Sequence, residues 1–219
     1  MNPLKLLTPI RVLIILYIVG IIGVTLPLHK DFMLLTPLNL LTTFVIAVYA
    51  DKNKNAGLYL VLAFCYLFGF FLELAGVQSG LIFGQYTYGA TLGPKIWGTP
   101  LIIGINWAML VYASVSISNS YFTEFPIIVK AAVGATLMVL LDIFIEPVAV
   151  KFDFWSWASA PMNKLIVEPL ENYIVWWLAA FLLNYLVQTI MPAIKNRAIE
   201  VLFYLQLLFF IWIIIFVIK

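Results

Sequence analysis

Three carboxylates lie inside hydrophobic stretches of this 219-residue chain: Glu73 within 58–77, and Asp142 and Glu146 within 127–150. An ionisable side chain at membrane depth costs roughly 2.5–3.5 kcal/mol even on the lenient insertion scale, so such groups mark functional sites by default. No lysine or arginine stands at matching depth to pair with them. A carboxyl group in an apolar pocket can keep its proton near neutral pH and act as a general acid. Aromatic faces stabilise a nearby cation. Acids and aromatics together suit protonation of an isoprenoid double bond to a tertiary carbocation. Water would capture that cation as an alcohol, and an internal double bond would capture it as a ring.

The elements that must position these acids are membrane helices. The chain is 64% hydrophobic and 10% charged, with a mean hydropathy of +1.08, whereas a soluble domain is about 25% charged. Apolar runs of about 20 residues read as spans, at about 10–27, 34–50, 58–77, 99–118, 127–150, 169–190 and 199–218. The first span lacks a small-residue cleavage site and is kept as a permanent helix. Pro169 suits the first turn of the sixth. The expected fold is an all-α membrane protein, a polytopic bundle of about seven transmembrane helices in one integral membrane domain, 1–219. Net charge is +2 and the basic residues are scattered, so no nucleic-acid partner is expected. Cys65 is the single cysteine and reads as an inert small apolar residue.

Seven basic residues (Lys5, Arg11, Lys52, Lys54, Lys130, Lys195, Arg197) fall on the side of the N-terminus. Five (Lys30, Lys95, Lys151, Lys164, Lys219) fall on the other. The positive-inside rule then favours a cytoplasmic N-terminus, in the cytoplasmic membrane of a bacterium or archaeon. Depth is independent of that choice. At 1.5 Å per residue, Glu73 and Glu146 lie roughly 6 Å short of the far ends of their spans and Asp142 roughly 12 Å. Asp142 and Glu146 are four apart and share a helix face. All three acids therefore sit below the same membrane face, the one opposite the N-terminus.

The same face collects the other polar and aromatic residues. One connection carries Phe83-Gly84-Gln85-Tyr86-Thr87-Tyr88-Gly89; another carries Phe152-Asp153-Phe154-Trp155-Ser156-Trp157 and then Glu168-Pro169-Leu170-Glu171-Asn172-Tyr173. His29 and Asn39 lie toward it as well. The opposite connections, such as 51–54, are short and ordinary. A pocket opening at one face, lined by acids and roofed by aromatics, is the expected site. Each part also has a plainer reading. Trp155, Trp157, Trp176 and Trp177 suit an interfacial belt equally well. Glu168 and Glu171 suit a helix N-terminus. His29 suits the interface, and Asn106 and Trp107 suit helix packing.

Other chemistries lack their residues. There is no paired aspartate-rich motif for magnesium-dependent prenyl transfer, no histidine cluster for zinc or di-iron, and no glycine-rich phosphate loop before a helix. The last span holds no lysine for a Schiff base. In contrast, Glu73-Leu-Ala-Gly76, Phe83-Gly84-Gln85-Tyr86-Thr87-Tyr88, Gly98-Thr99-Pro100 with Trp107, Asp142 with Glu146-Pro147, and Trp155-Ser-Trp157 occur in that order. This pattern, over roughly 73–183, resembles the carotenoid biosynthesis family of membrane hydratases, of the bisanhydrobacterioruberin and γ-carotene hydratase type. The family commonly has aspartate before the proline, where this chain has Glu146. Its segment before the sixth span often carries an Asn-Phe pair, where this chain has Asn172-Tyr173.

The resemblance implies a cofactor-independent hydro-lyase, with neither redox group nor metal. It would add water across the terminal 1,2 double bond of an acyclic or monocyclic carotenoid, giving a tertiary alcohol. Its partners would be that substrate, membrane lipid and other enzymes of the same pathway. Among Asp142, Glu146 and Glu73, one would protonate carbon 2 and another would orient or deprotonate water, with Asp142 the first choice for the acid. Tyr86, Tyr88, Trp107, Trp155, Trp157, Asn172 and Tyr173 would bind substrate, and Glu171, Gln85 and His29 are accessory candidates. Two alternatives stay open. The stretch Glu168-Pro169-Leu170-Glu171 also resembles a motif of the small membrane lycopene cyclases, and a non-catalytic protein handling lipid or protons would place acids in helices too.

Overall fold

The computed structural model describes residues 3–26, 29–158 and 169–218. Among these, the chain runs through α1 (Pro3–Thr25), α2 (His29–Leu34), α3 (Thr36–Ala50) and α4 (Ala56–Ser79). It continues through β1 (Tyr86–Tyr88), β2 (Lys95–Ile96), β3 (Thr99–Pro100), α5 (Ile102–Tyr121) and α6 (Ile127–Lys151). It ends with β4 (Trp155–Trp157), α7 (Leu170–Ile190) and α8 (Arg197–Phe216). The fold is essentially all-α. Helices α4 to α8, and α1 through Thr8–Thr25, are long and apolar enough to cross a membrane.

Two expected spans differ in detail. The second, expected from 34, begins at Thr36: a short helix α2 precedes it and ends at Leu34, Leu35 forms a turn, and α3 starts with proline in its first turn, where its missing N–H is harmless. At 15 residues, α3 is about 22 Å long, shorter than a hydrocarbon core of about 30 Å. The fourth was expected from 99 but begins at Ile102. Pro100 disfavours a helical Thr99, Gly98 turns the chain at φ 86°, and Thr99–Pro100 pairs with Lys95–Ile96 instead.

Helix α5 is the hub. Its span is 89% buried, against 22–44% for the other five, yet it has the lowest mean hydropathy of the six, 1.3. That inversion is physical: lipid is as apolar as leucine, so polar residues turn inward. Ser114, Ser116, Ser118 and Asn119 are all buried on α5. Around it pack α4, α6, α8, α3 and α7, while α1 closes against α8. Gly69 of α4 lets α5 approach closely, because a Cβ there would lie 2.2 Å from the Trp107 ring.

The connection after α3 is not ordinary. Asp51 is 5% exposed and Glu200 3%, and they anchor a buried network. Tyr112 Oη donates to Asp51, and Asn196 Nδ2 donates to Tyr112 Oη at 2.9 Å and to the Ala47 carbonyl at 2.8 Å. Ser116 and Ser120 donate to Glu200 Oε1 at 2.8 and 2.6 Å, and Arg197 pairs with its other oxygen at 3.1 Å. The network fastens the ends of α3, α5 and α8 on the side of the N-terminus. The loop was expected to be ordinary; Lys52, Asn53 and Lys54 are indeed exposed, but Asp51 is buried against long-range partners from α5 and the start of α8.

At the opposite end, β1 and β4 form an antiparallel ladder with Tyr86 opposite Trp157, Thr87 opposite Ser156 and Tyr88 opposite Trp155. It joins the connection after α4 to the one after α6. The ladder was not expected, although Tyr-Thr-Tyr and Trp-Ser-Trp carry its signal, an aromatic at every second residue.

Candidate active site

Side chains alternate across a strand, so the ladder turns four aromatics to one face and the Thr87–Ser156 pair to the other. Beneath the aromatic face stand the three acids. Glu73 comes from α4, and Asp142 and Glu146 come from successive turns of α6; they are 3%, 4% and 2% exposed. All three line one cavity of about 30 Å³, with Tyr86, Tyr88, Trp155 and Trp157 as its roof. Ile103 and Asn106 of α5, Ile145 of α6, and Asn172 and Trp176 of α7 complete the wall. Four helices, α4, α5, α6 and α7, thus wall the cavity beneath the ladder. Its volume suits about two water molecules.

Each strand of the ladder holds one acid. Tyr86 and Tyr88 donate to Glu73 Oε2 at 2.6 and 2.9 Å, and Trp107 Nε1 donates to Glu73 Oε1 at 3.1 Å. Trp155 Nε1 donates to both oxygens of Glu146 at 3.1 Å, and Trp157 Nε1 to Oε2 at 3.0 Å. An indole N–H only donates, so both Glu146 oxygens are acceptors. Burial, reinforced by the adjacent Glu73, holds the Tyr86 and Tyr88 phenols above their ordinary range, which keeps them as donors.

The roof is a set of ring pairs. Tyr86 and Trp157 are 4.9 Å apart between centroids, and Tyr88 and Trp155 5.9 Å, edge to face. Below them Trp107 and Trp176 stack at 4.1 Å. The cavity is therefore acid-lined on one side and presents aromatic rings on the other, an arrangement suited to a transient cation.

The structure separates the remaining site candidates. Asn172 lines the cavity; Tyr173, the next residue of α7, does not. Glu171 is exposed in the first turn of α7. Gln85 lines a neighbouring cavity. His29 opens α2, but its side chain lies outside the described residues, as does Glu168. Trp177 turns away from the acids and donates to Thr136 at 3.1 Å, so the adjacent Trp176 and Trp177 divide between pocket and periphery. Ile103, Ile145 and Asn106 were not chosen as site residues from sequence, and Trp176 was left evenly between belt and pocket lining. Helical spacing marks them: Ile103 and Asn106 are three apart, as are Asp142 and Ile145, and Asn172 and Trp176 are four apart.

Comparisons with known proteins bear on the family of this chain. The family described as "Carotenoid biosynthesis protein" matches residues 35–219. A bisanhydrobacterioruberin hydratase of Haloarcula japonica is 27% identical over 143 residues, covering 62% of this chain and 45% of that protein. The chain thus spans less than half the length of that relative. No solved structure matches. Because the family match extends over most of the chain, from the turn before α3 through all the helices that build the cavity, the protein belongs to the carotenoid biosynthesis protein family.

Proposed function

We propose that this protein is a carotenoid hydratase that adds water across the terminal 1,2 double bond of an acyclic carotenoid end group. The observation that carries the reading is the convergence of three buried acids, Glu73, Asp142 and Glu146, on one cavity roofed by aromatic rings. Phenol and indole hydrogens orient Glu73 and Glu146 toward that cavity. We assign the proton-donor role to Asp142 because it lies deepest of the three, one turn further into the membrane than Glu146 on α6.

In this mechanism Asp142 gives its proton to carbon 2 of the end group, and positive charge develops at the tertiary carbon 1. The ring faces above it stabilise that charge. A water molecule bonds to carbon 1 through its oxygen and passes a proton to Glu146 or Glu73. Proton transfer back to Asp142 restores the site. One alkene and one water become one alcohol. General acid and base catalysis of this kind contributes typically 10²–10⁴-fold. The relative's name, a hydratase, supports the same chemistry. An isoprenoid end needs more room than about 30 Å³, so the roof side chains must shift to admit it.

A ring-closing reaction would pass through a similar cation. The polar lining, with Asn106 and Asn172 beside the acids, favours water capture. The seven-to-five basic bias supports a cytoplasmic N-terminus in a bacterial or archaeal cytoplasmic membrane, with the acid site toward the outer face. The test is expression in a lycopene-producing bacterium grown in ¹⁸O-labelled water, followed by mass analysis of the pigments. The expected product is lycopene plus one labelled water. A pigment isomeric with lycopene would replace hydration with cyclisation, and unchanged lycopene would remove both.

A further inference from the structure

Beside the acid pocket lies a second cavity that nothing so far explains. It measures about 260 Å³ and is lined by Val77 and Gly80 at the end of α4, by Gln85 and Thr87 on one side of the ladder, and by Ser156 and Ala158 on the other. The acid pocket measures about 30 Å³. The two cavities share two residues, Tyr86 and Trp157.

We infer that this second cavity is a water vestibule, and that the Tyr86–Trp157 pair is the partition through which water reaches the acids. The inference rests on the hydratase reading and names the route of its second substrate. The lining chemistry fits water: Gln85, Thr87 and Ser156 are exposed polar side chains, and Thr87 Oγ1 and Ser156 Oγ lie 3.2 Å apart. The Gln85 carbonyl accepts from the Ala158 N–H at 2.9 Å, so the ladder continues along the vestibule wall and fixes its shape. Each partition residue also holds one acid, Tyr86 through its hydroxyl to Glu73 and Trp157 through its indole to Glu146.

That double attachment has a consequence for specificity. The only co-substrate is one water. Its oxygen bonds to carbon 1, and its proton goes to the carboxylate that a partition residue anchors. If water does not arrive, the cation loses a neighbouring proton or closes a ring, and the product has the mass of the starting pigment. Control of access through Tyr86 and Trp157 therefore decides between alcohol and isomer after the protonation step is complete.

The chain's one native cysteine, Cys65, is fully buried, which permits a clean labelling test. Ser156→Cys places a thiol in the vestibule, on the side of the ladder facing away from the acids. Open membrane fragments carrying this variant are treated with a charged methanethiosulfonate reagent, and treated and untreated halves are given lycopene in ¹⁸O-labelled water. Leu81→Cys, at a position 87% exposed and outside the vestibule lining, serves as the control site. We expect Ser156→Cys to react, and its alcohol output to fall at least tenfold while the ratio of unhydrated isomers to alcohol rises. Labelled Leu81→Cys should keep its alcohol output. A Ser156→Cys thiol that resists a reagent to which Leu81→Cys responds overturns the vestibule. So does complete labelling with undiminished alcohol. Failure of the hydratase reading is seen separately, as wild-type protein that makes no alcohol before any reagent is added.

Discussion

At the scale of single residues, the site is a matching of donors to acceptors. Glu146 receives two indole N–H groups and Glu73 two phenols and an indole, so five aromatics orient the acids, and four of them, all but Trp107, also line the cavity. Asp142→Asn and Glu146→Gln should therefore each lower product formation by about 10²-fold or more. Both variants should still insert and fold, because removing a buried acid relieves a desolvation cost. Pigment analysis normalised to detergent-extracted, monodisperse protein checks both halves of this expectation. Trp155→Phe and Trp157→Phe keep a ring but delete an N–H. A hydrogen bond to a charged group is worth about 1.5–3 kcal/mol, so each change should cost about 10- to 100-fold in rate if the bond orients the acid in the transition state. Normal rates in both would reduce the tryptophans to cation shielding.

At the scale of elements, two loop strands join what two helices carry. The helices were legible in sequence because membrane spans are long apolar runs, and the acids were legible because charge is costly inside them. The common depth of Glu73, Asp142 and Glu146 followed from helix rise alone. What was not legible was pairing across the chain. The Tyr86–Tyr88 and Trp155–Trp157 segments are 69 residues apart at their centres, and three-residue strands carry too few side chains for their period to stand out from loop sequence. The buried Asp51–Tyr112–Asn196 network was hidden for the same reason, as its partners come from α5 and the start of α8. The ladder itself can be tested at Gly89, where an added Cβ would meet the Asp153 carbonyl oxygen at 2.1 Å. Gly89→Val should force the strands apart and displace both acid-holding pairs together. We expect loss of at least about 10²-fold in activity, in the range of acid–base catalysis as a whole, with helical circular dichroism unchanged. Retained activity would mean that the acids keep their geometry without the ladder.

At the scale of the whole molecule, polar groups gather at both ends of the central helix α5, but their chemistry differs. At one end, the acids line a cavity and face ring surfaces. At the other, Asp51 and Glu200 are tied to neutral donors and to Arg197, and the adjoining cavity is lined mainly by polar and charged residues, among them Lys52, Asn53, Lys195 and Arg197. The first arrangement suits reaction on an apolar substrate; the second suits fastening helices. The two ends should therefore respond oppositely to substitution. Tyr112→Phe removes the phenol that donates to Asp51 and leaves a buried carboxylate oxygen without that donor, a loss of about 1–3 kcal/mol or more. It should lower the thermal midpoint in detergent while the ratio of alcohol to isomer, and the product per folded molecule, stay at wild-type values. Asp142→Asn should do the reverse, holding or raising the midpoint while product disappears. Measuring both quantities for both variants gives a crossed pattern that a single site could not produce. If Tyr112→Phe alters the product ratio, the far network acts on the chemistry through α5 and is more than a fastening.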